Sequence, residues 1–594
     1  MLYTADFETT TDENDCRVWA WGVCEIGNHY KFNYGNDINT FFDFLYNSKN
    51  STFYFHNEKF DGTFILCWLF ANGFKHTDKK EMQSKTFSTL ISDTGQFYSI
   101  KIMFEKKGKR TKSATIYDSL KIIPFSVEVI AKSFNLSISK LEIDYNTFRP
   151  KGHTLTPVEV DYLKNDVTIC AKALNTLFDQ NLRKITQGSN ALYDYKYTVG
   201  ENYFKKWFPV LELWCDKDIR QAYKGGFTYL KPEYAGKDIG SGIVLDVNSL
   251  YPFVLKEKPL PFGFPIFFNG QYEPDELYPL YVQMITCQFK VKEKYLPTIQ
   301  LKNNLAFIPN QYVTSSGDDE VTMCLTSVDL DLFFEHYEVY NIEYHSGWKF
   351  MSSTGMFKKY VDKWTQVKIE STLNGNKGMR TLAKLMLNAL YGKFGLNPNV
   401  QSKIPYNDNG VVKYTLGEKE TRPGIYIPVA VFVTAYARSI TIRSAQKMYD
   451  HFVYADTDSL HLNLKLPEKL LDMDEKQVEF LTTEKLVEMG LPIPKDMTIN
   501  PVNLGAWKVE HRFFRARFNR QKCYIEDGNR QEVWDTDQYD HNKLNVVCAG
   551  MPKRCHDQVT WENFKLGATY SGKLVPKNVV GGVVLIETEY TIKV

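Results

Sequence analysis

Apolar runs broken by turn residues divide this chain into strands and helices. At the N-terminus, Leu2-Tyr3-Thr4-Ala5-Asp6-Phe7-Glu8-Thr9-Thr10 reads as a strand whose two-residue period puts Asp6 and Glu8 on one face. The section up to about residue 185 mixes short strands with helices. Near its end, Thr156-Pro157-Val158-Glu159 supplies an N-cap threonine, a proline at the first helical position and a capping-box glutamate, which predicts a helix through about Phe178. Val244-Leu245-Asp246-Val247 is an apolar strand with one isolated carboxylate, and Phe452 to Leu462 holds two apolar strand-like runs around a turn. Residues 356 to 396 read as a helical pair, the second helix running from about Lys377 to Phe394. Asn409-Gly410 then marks a tight hairpin between β-prone runs, a protruding two-stranded arm. Residues 465 to 495 place leucines at helical spacing among alternating charges, one or two surface helices, and the tail from about 549 is β-rich around Gly581-Gly582. Between about 261 and 355 the chain is rich in proline, tyrosine and short β runs and carries no catalytic constellation, as an insertion or docking module would.

Length changes the picture first, because 594 residues exceed what one core supports, so several domains are expected. The ten cysteines are scattered without a CxxC pair, which argues for reduced thiols and against a zinc site or disulfide framework. No run approaches the roughly 20 apolar residues of a membrane span, and the N-terminus enters a strand without a signal peptide, so a cytosolic location is expected. With a formal charge of +2, any nucleic-acid footprint must be local. The strongest cluster is Lys508 to Tyr524, where Lys508, Arg512, Arg515, Arg517, Arg520 and Lys522 face only Glu510 and interleave with Phe513, Phe514, Phe518 and Tyr524. It fits a groove that neutralises phosphates and stacks bases, and equally a strand with one solvated basic face.

Asp6 and Glu8 form a pair that any surface strand could carry, yet like charges this close favour a cation between them. His56-Asn57-Glu58-Lys59-Phe60-Asp61-Gly62 adds Asp61 beside Asn57 and Phe60, and the capped helix adds Tyr162 and Asp166 one turn apart. Four carboxylates and a tyrosine suit two Mg²⁺ ions about 3.5 to 4 Å apart and phosphodiester hydrolysis. In order and spacing they resemble the DxE, Nx₂₋₃(F/Y)D and Yx₃D motifs of proofreading 3'→5' exonucleases. The resemblance implies Asp6, Glu8, Asp61 and Asp166 as metal ligands, Glu142 as a further acidic candidate and Tyr162 as the group orienting water. It also implies Thr9, His56, Asn57, Phe60, Phe64, Ser119 and Leu120 as contacts to a frayed single strand, and Lys140 as a phosphate contact.

A second acidic set comprises Asp246, with the Val247 carbonyl beyond it, and Asp456 and Asp458 around the hairpin turn. Such oxygen-rich sites suit Mg²⁺ or Mn²⁺ completed by substrate phosphates, so a triphosphate is implied. The helix around Lys384 supplies opposite charge: Arg380, Lys384 and Asn388 recur every four residues and Tyr391 follows on the same face, while Leu382, Leu385, Met386 and Leu390 bury the other side. DVNSLYP (246–252), KLMLNALYG (384–392) and YADTDS (454–459) resemble motifs A, B and C of family B DNA polymerases. Tyr223-Lys224-Gly225-Gly226, Thr434-Ala435-Tyr436-Ala437-Arg438 and Lys522-Cys523-Tyr524 match further elements in the family's order. Two positions depart from the family: Ala389 stands where serine is usual, and Ala455 where cysteine or glycine is.

End to end, the chain is most similar to the protein-primed DNA polymerases of small tailed bacteriophages. That implies an α/β multidomain fold: an RNase H-like exonuclease domain (1–187) and a right-hand polymerase domain. The latter would comprise palm (188–260 and 425–548), fingers (356–396), thumb (549–594), an insertion docking the priming protein (261–355) and a hairpin arm for processivity and strand displacement (397–424). Residues 465 to 500 are longer than the family usually has. The resemblance further implies Asp246, Asp456 and Asp458 as catalytic carboxylates, Tyr251 under the incoming sugar and Lys368, Arg380, Lys384 and Asn388 at the nucleotide. Tyr391 would meet the nascent pair, Tyr223, Gly225, Gly226, Thr434 and Arg438 the template path, and Lys522 and Tyr524 the primer terminus. Cofactors would be Mg²⁺, replaceable by Mn²⁺, two ions per active site. Partners would be primer-template DNA, dNTPs, a terminal priming protein in a heterodimer, and phage single- and double-stranded DNA-binding proteins, with no homo-oligomer, in the host bacterial cytoplasm. A family B enzyme using ordinary nucleic-acid primers and a non-catalytic DNA-binding scaffold are the alternatives; the intact acidic sets count against the scaffold.

Overall fold

A computed structural model describes residues 1–27, 29–300, 312–528 and 544–593. The chain is α/β throughout and builds separate sheets. Parts of the expected insertion (301–311) and of the second palm segment (529–543) lie outside the described residues.

The N-terminal strand Leu2–Thr9 lies inside an eight-stranded mixed sheet, antiparallel to Val18–Glu25 and parallel to Ser51–Phe55. Its alternation is real: Ala5 and Phe7 enter one core, whereas the face with Asp6 and Glu8 turns to the helix Pro157–Phe178, where the Thr4 hydroxyl donates to the Val167 carbonyl at 2.7 Å. That helix starts and ends as its sequence predicts. The Thr156 Oγ1 accepts from the Glu159 amide, the Glu159 Oε2 accepts from the Thr156 amide at 2.9 Å, and Pro157 occupies the first turn.

A second, five-stranded sheet has the spatial order Trp507–Phe513, Gly242–Val247, Ser459–Asn463, Phe452–Asp456, Thr228–Leu230. Strand Gly242–Val247 is interior, paired on one side with Trp507–Phe513 and on the other with Ser459–Asn463, and only a glycine fits at its start: a Cβ on Gly242 would stand 2.0 Å from the Leu462 carbonyl oxygen. The helix Ile427–Lys447 backs this sheet and is apolar on nearly every side, as a helix enclosed by core must be. Antiparallel helices Lys358–Leu373 and Lys377–Phe394 project beside it.

The hairpin arm forms where Asn409-Gly410 predicts it, between Asn399–Asp408 and Val411–Thr421, with φ of +51° and +85° at the two turn residues. It does not protrude freely. Ser402 bridges to Ser92 of the N-terminal sheet, and the Val412 carbonyl accepts from Asn578 at 2.8 Å, on the C-terminal hairpin Thr569–Val579/Gly582–Thr591. Residues 465 to 495 form three short helices, Glu468–Leu471, Glu475–Glu479 and Thr483–Glu488, where one or two were expected; Pro467, Asp474 and Thr482 each restart the chain as an N-cap.

The basic ribbon is corrected by the fold. Phe513, Phe514 and Phe518 are core residues rather than stacking platforms. Arg515 and Arg517 both pair with Asp238, and Arg512 donates to the Met473 carbonyl. Much of the segment's positive charge therefore stitches this sheet to its neighbours; Lys508 and Lys522 are the ones directed at carboxylates of the second acidic set.

Candidate active sites

Asp6, Glu8, Asp61, Tyr162 and Asp166 converge on one cavity of about 690 Å³. Strand Leu2–Thr9 brings Asp6 and Glu8, helix Glu58–Ala71 brings Asp61, and helix Pro157–Phe178 brings Tyr162 and Asp166. Burial, and then mutual repulsion, raises these acids: Asp6 is pushed up to about 7 with Asp166 as its main charged neighbour, and Glu8 and Asp61 are raised well above the usual carboxylate range. Burial raises Asp166 too, opposed by Lys140, whose Nζ pairs with Asp166 and donates to the Tyr162 hydroxyl at 3.1 Å. Lys140 is thus an internal counter-ion in this arrangement. The Asp166 Oδ1 is buried without a hydrogen-bond partner, and every acidic donor is an oxygen, so the site fits a hard divalent cation.

Thr9, His56, Asn57 and Phe60 line the same cavity. Asn57 sits at φ +76°, a left-handed backbone that asparagine tolerates, held by its amide donating to the Asp118 carboxylate. Other expected contacts are placed differently. Phe64 is core: a Cβ on Gly582 of the C-terminal hairpin would lie 2.2 Å from its ring. Ser119 is buried, its hydroxyl bound to the Phe55 carbonyl and His56 Nδ1, while Leu120 is half-buried outside the cavity lining. Glu142 is exposed and outside that lining, because its loop turns it to solvent. Two participants were missed. Tyr145 meets the Tyr162 hydroxyl at 2.6 Å from a loop with no motif, and Leu574, Val583, Leu585 and Glu587 of the C-terminal hairpin close the cavity from more than 400 residues away in sequence.

The second set gathers on the five-stranded sheet. Thr457 adopts φ +63°, and the tight turn carries Asp456 and Asp458 on either side. The Val247 amide donates to the Asp458 carbonyl at 2.8 Å, fixing the end of the Asp246 strand against the turn. Burial and the facing Asp458 push Asp246 up to about 7; burial, opposed by its own amide and reinforced by Asp456, pushes Asp458 to about 6. Asp456 is different, being satisfied by Thr228 Oγ1 at 3.1 Å, the Tyr454 hydroxyl at 3.3 Å and Lys522 Nζ at 3.3 Å. The oxygen-only pair Asp246/Asp458 also fits a divalent cation. Among the described residues no three His, Cys, Asp or Glu side chains are already drawn into an ion cage.

Across from the turn, Arg380, Lys384 and Asn388 share the exposed face of helix Lys377–Phe394. Partial desolvation by the surrounding protein lowers Lys384 and Lys368, as do the neighbouring cations, Lys508 among them. Tyr251 and Tyr391 stack with ring centroids 4.1 Å apart. Gly226 packs against the turn, since a Cβ there would meet the Thr457 side chain at 2.8 Å. Arg438 is buried rather than open to a template. Its Nη1 donates to the Lys224 and Gly225 carbonyls at 2.9 and 2.8 Å, and its other nitrogens bind Asp329, a residue of the expected insertion that the sequence did not single out. Thr434 is likewise buried, its hydroxyl donating back to Ala430. Both residues position the 223–226 loop or its supporting helix. Tyr524 packs beside Phe518 and Tyr454, and Lys522 keeps its head at Asp456.

The raised carboxyls give a stability test. A carboxyl held near 7 when folded and near 4 when unfolded stabilises below its unfolded value and loses that contribution as pH rises to its folded value. In metal-free buffer, Asp246→Asn is therefore expected to be more thermostable than the parent by an increment that grows from pH 4.5 to about 7, reaching a few degrees. Thermal unfolding of both proteins across that range checks this; a constant difference contradicts it.

Comparison with known proteins agrees with this geometry. The family described as "DNA polymerase type B, organellar and viral" matches residues 43–476. The DNA polymerase of Bacillus phage M2 is 45% identical over 100% of this chain and 99% of its own length. A crystal structure of Phi29 DNA polymerase, 43% identical, covers 100% of both chains with a TM-score of 0.89, and its ternary complex with primer-template DNA and incoming nucleotide superimposes with a TM-score of 0.88. No described helix is long and apolar enough to cross a membrane. Two acidic centres on two sheets, a cationic helix facing one of them and full-length similarity lead to one conclusion: the chain belongs to the type B family of organellar and viral DNA polymerases.

Proposed function

We propose that this DNA polymerase copies a linear phage genome from a protein primer, extends processively with strand displacement, and edits its product at a second, hydrolytic site. The carrying observation is that two carboxylate sets stand on separate sheets of one chain.

At the synthetic site, Asp246 and Asp458 would hold Mg²⁺ or Mn²⁺, two ions per site, and the ions when bound supply activation of the primer hydroxyl and charge neutralisation on the triphosphate. The chain's own residues do the positioning. Arg380, Lys384 and Lys368 receive phosphates, the Tyr251/Tyr391 stack forms the floor under the sugar and base pair, and Lys522 beside Asp456 marks the primer end. The solved complex of Phi29 DNA polymerase with primer-template DNA and incoming nucleotide supports this reading. At the hydrolytic site, Asp6, Glu8, Asp61 and Asp166 would hold the ions, with Tyr162 and Lys140 orienting water and phosphate.

On this reading 1–187, 188–260, 261–355, 356–396, 397–424, 425–548 and 549–594 are exonuclease, palm, priming-protein insertion, fingers, arm, palm and thumb; the separate N-terminal and five-stranded sheets and the two hairpins support such a division. Arm, N-terminal sheet and C-terminal hairpin meet around a further cavity of about 490 Å³ whose lining is more apolar than polar, with Phe60, Phe97 and Tyr414 beside Lys59 and Lys403; the arm held between these two elements is the feature behind the processivity and strand-displacement reading. The 261–355 segment exposes Phe264, Phe267, Leu277, Phe334 and Tyr340, apolar surface of the kind a priming protein would cover. Such an enzyme would act in the host bacterial cytoplasm, beside phage single- and double-stranded DNA-binding proteins and without a homo-oligomer.

Asp458→Ala is expected to lower dNTP incorporation by about 10²-fold or more while sparing metal-dependent degradation of single-stranded DNA, and Asp61→Ala to do the reverse. Primer extension and degradation assays on both variants measure this; joint loss in either variant would contradict separate sites. Incubation with labelled dATP, template and the candidate priming protein is expected to attach label covalently to that protein. Label found only on DNA primers would favour ordinary priming.

A further inference from the structure

Lys508 has no role in the arrangement above, yet it reaches the same charges from the opposite wall. It lies on Trp507–Phe513, directly opposite Asp246 in the antiparallel ladder, with its Nζ 3.5 Å from Asp246 Oδ2. Along the same ribbon Arg512, Arg515 and Arg517 are spent on protein partners, so Lys508 is the cation this strand directs into the site.

An ion pair at 3.5 Å with the lysine side chain 35% exposed is weak and readily exchanged. Divalent metal offers Asp246 a better partner, and a triphosphate offers an ammonium on a flexible four-carbon stem a better one too. We propose that Lys508 is a nucleotide-responsive residue that neutralises Asp246 before substrate arrives and moves to a phosphate oxygen of the incoming nucleoside triphosphate once metal takes the carboxylate. The inference rests on Asp246 and Asp458 being the synthetic carboxylates. It assigns Lys508 two opposed effects, competition with metal in the nucleotide-free protein and attraction of nucleotide in the loaded one.

Opposed effects give a test that a purely structural lysine would fail. With Asp6→Ala and Glu8→Ala silencing the other acidic cluster, Mn²⁺ alone is titrated into the full chain and its binding followed by electron paramagnetic resonance. Lys508→Met is expected to bind Mn²⁺ about threefold to tenfold more tightly than the parent, and its KM for dNTP on a primed template to rise about tenfold, with a smaller change in kcat. Lys508→Arg should keep both values near the parent. Any other combination of signs in Lys508→Met, including parallel weakening or no change, overturns the exchange. Asp458→Asn is measured alongside: full incorporation by that variant would show that the reading of the carboxylates has failed, independently of Lys508.

Discussion

Burial of clustered carboxylates, with their mutual repulsion added to it, is the constraint on which both centres depend. Each centre gathers acids whose burial, and then mutual repulsion, raises them above the ordinary carboxylate range, and each sets a positive charge beside them. Lys140 supplies that charge at the hydrolytic cluster and Lys508 at the synthetic one. The surrounding fold keeps the acids from relaxing apart. The capped helix fixes Asp166, the left-handed Asn57 and Thr457 fix the approach of Asp61 and Asp458, and the strand beginning at Gly242 carries Asp246.

The support around the polymerase centre runs through main-chain contacts. Arg438 ties the carbonyls of the 223–226 loop to Asp329, and Gly226 lets that loop rest on Thr457. Thr441 donates to the Thr457 carbonyl at 2.7 Å from the same apolar helix. A buried arginine with both faces satisfied is costly to assemble and more costly to break, so the loop, the insertion and the turn share one geometry. The second centre has a comparable long-range dependence, because its cavity is closed by a hairpin from the far C-terminus.

Local signals were therefore the legible ones. Capping at Thr156, the Asn-Gly turn, the period placing Asp6 beside Glu8 and the helix Lys377–Phe394 depend on neighbours a few residues apart, and all stand as read. What escaped depends on partners distant in sequence. Whether Phe64 and Phe518 face DNA or core is decided by Gly582 and by the 523–527 strand. Whether Arg438 meets a template or a carbonyl is decided by Asp329, and Tyr145 joins Tyr162 from a loop without a motif. Asp456 and Asp458 look alike in sequence, yet only the fold gives Asp456 its threonine, tyrosine and lysine donors.

The most direct measurement of this account is anomalous X-ray diffraction at the manganese edge from crystals of the protein with Mn²⁺, primer-template DNA and a non-hydrolysable dNTP. The account predicts anomalous peaks between Asp246 and Asp458 and among Asp6, Glu8, Asp61 and Asp166, with Lys508 drawn away from Asp246 onto the triphosphate. Peaks elsewhere, or carboxylates still paired with lysine in the presence of saturating metal, would contradict it.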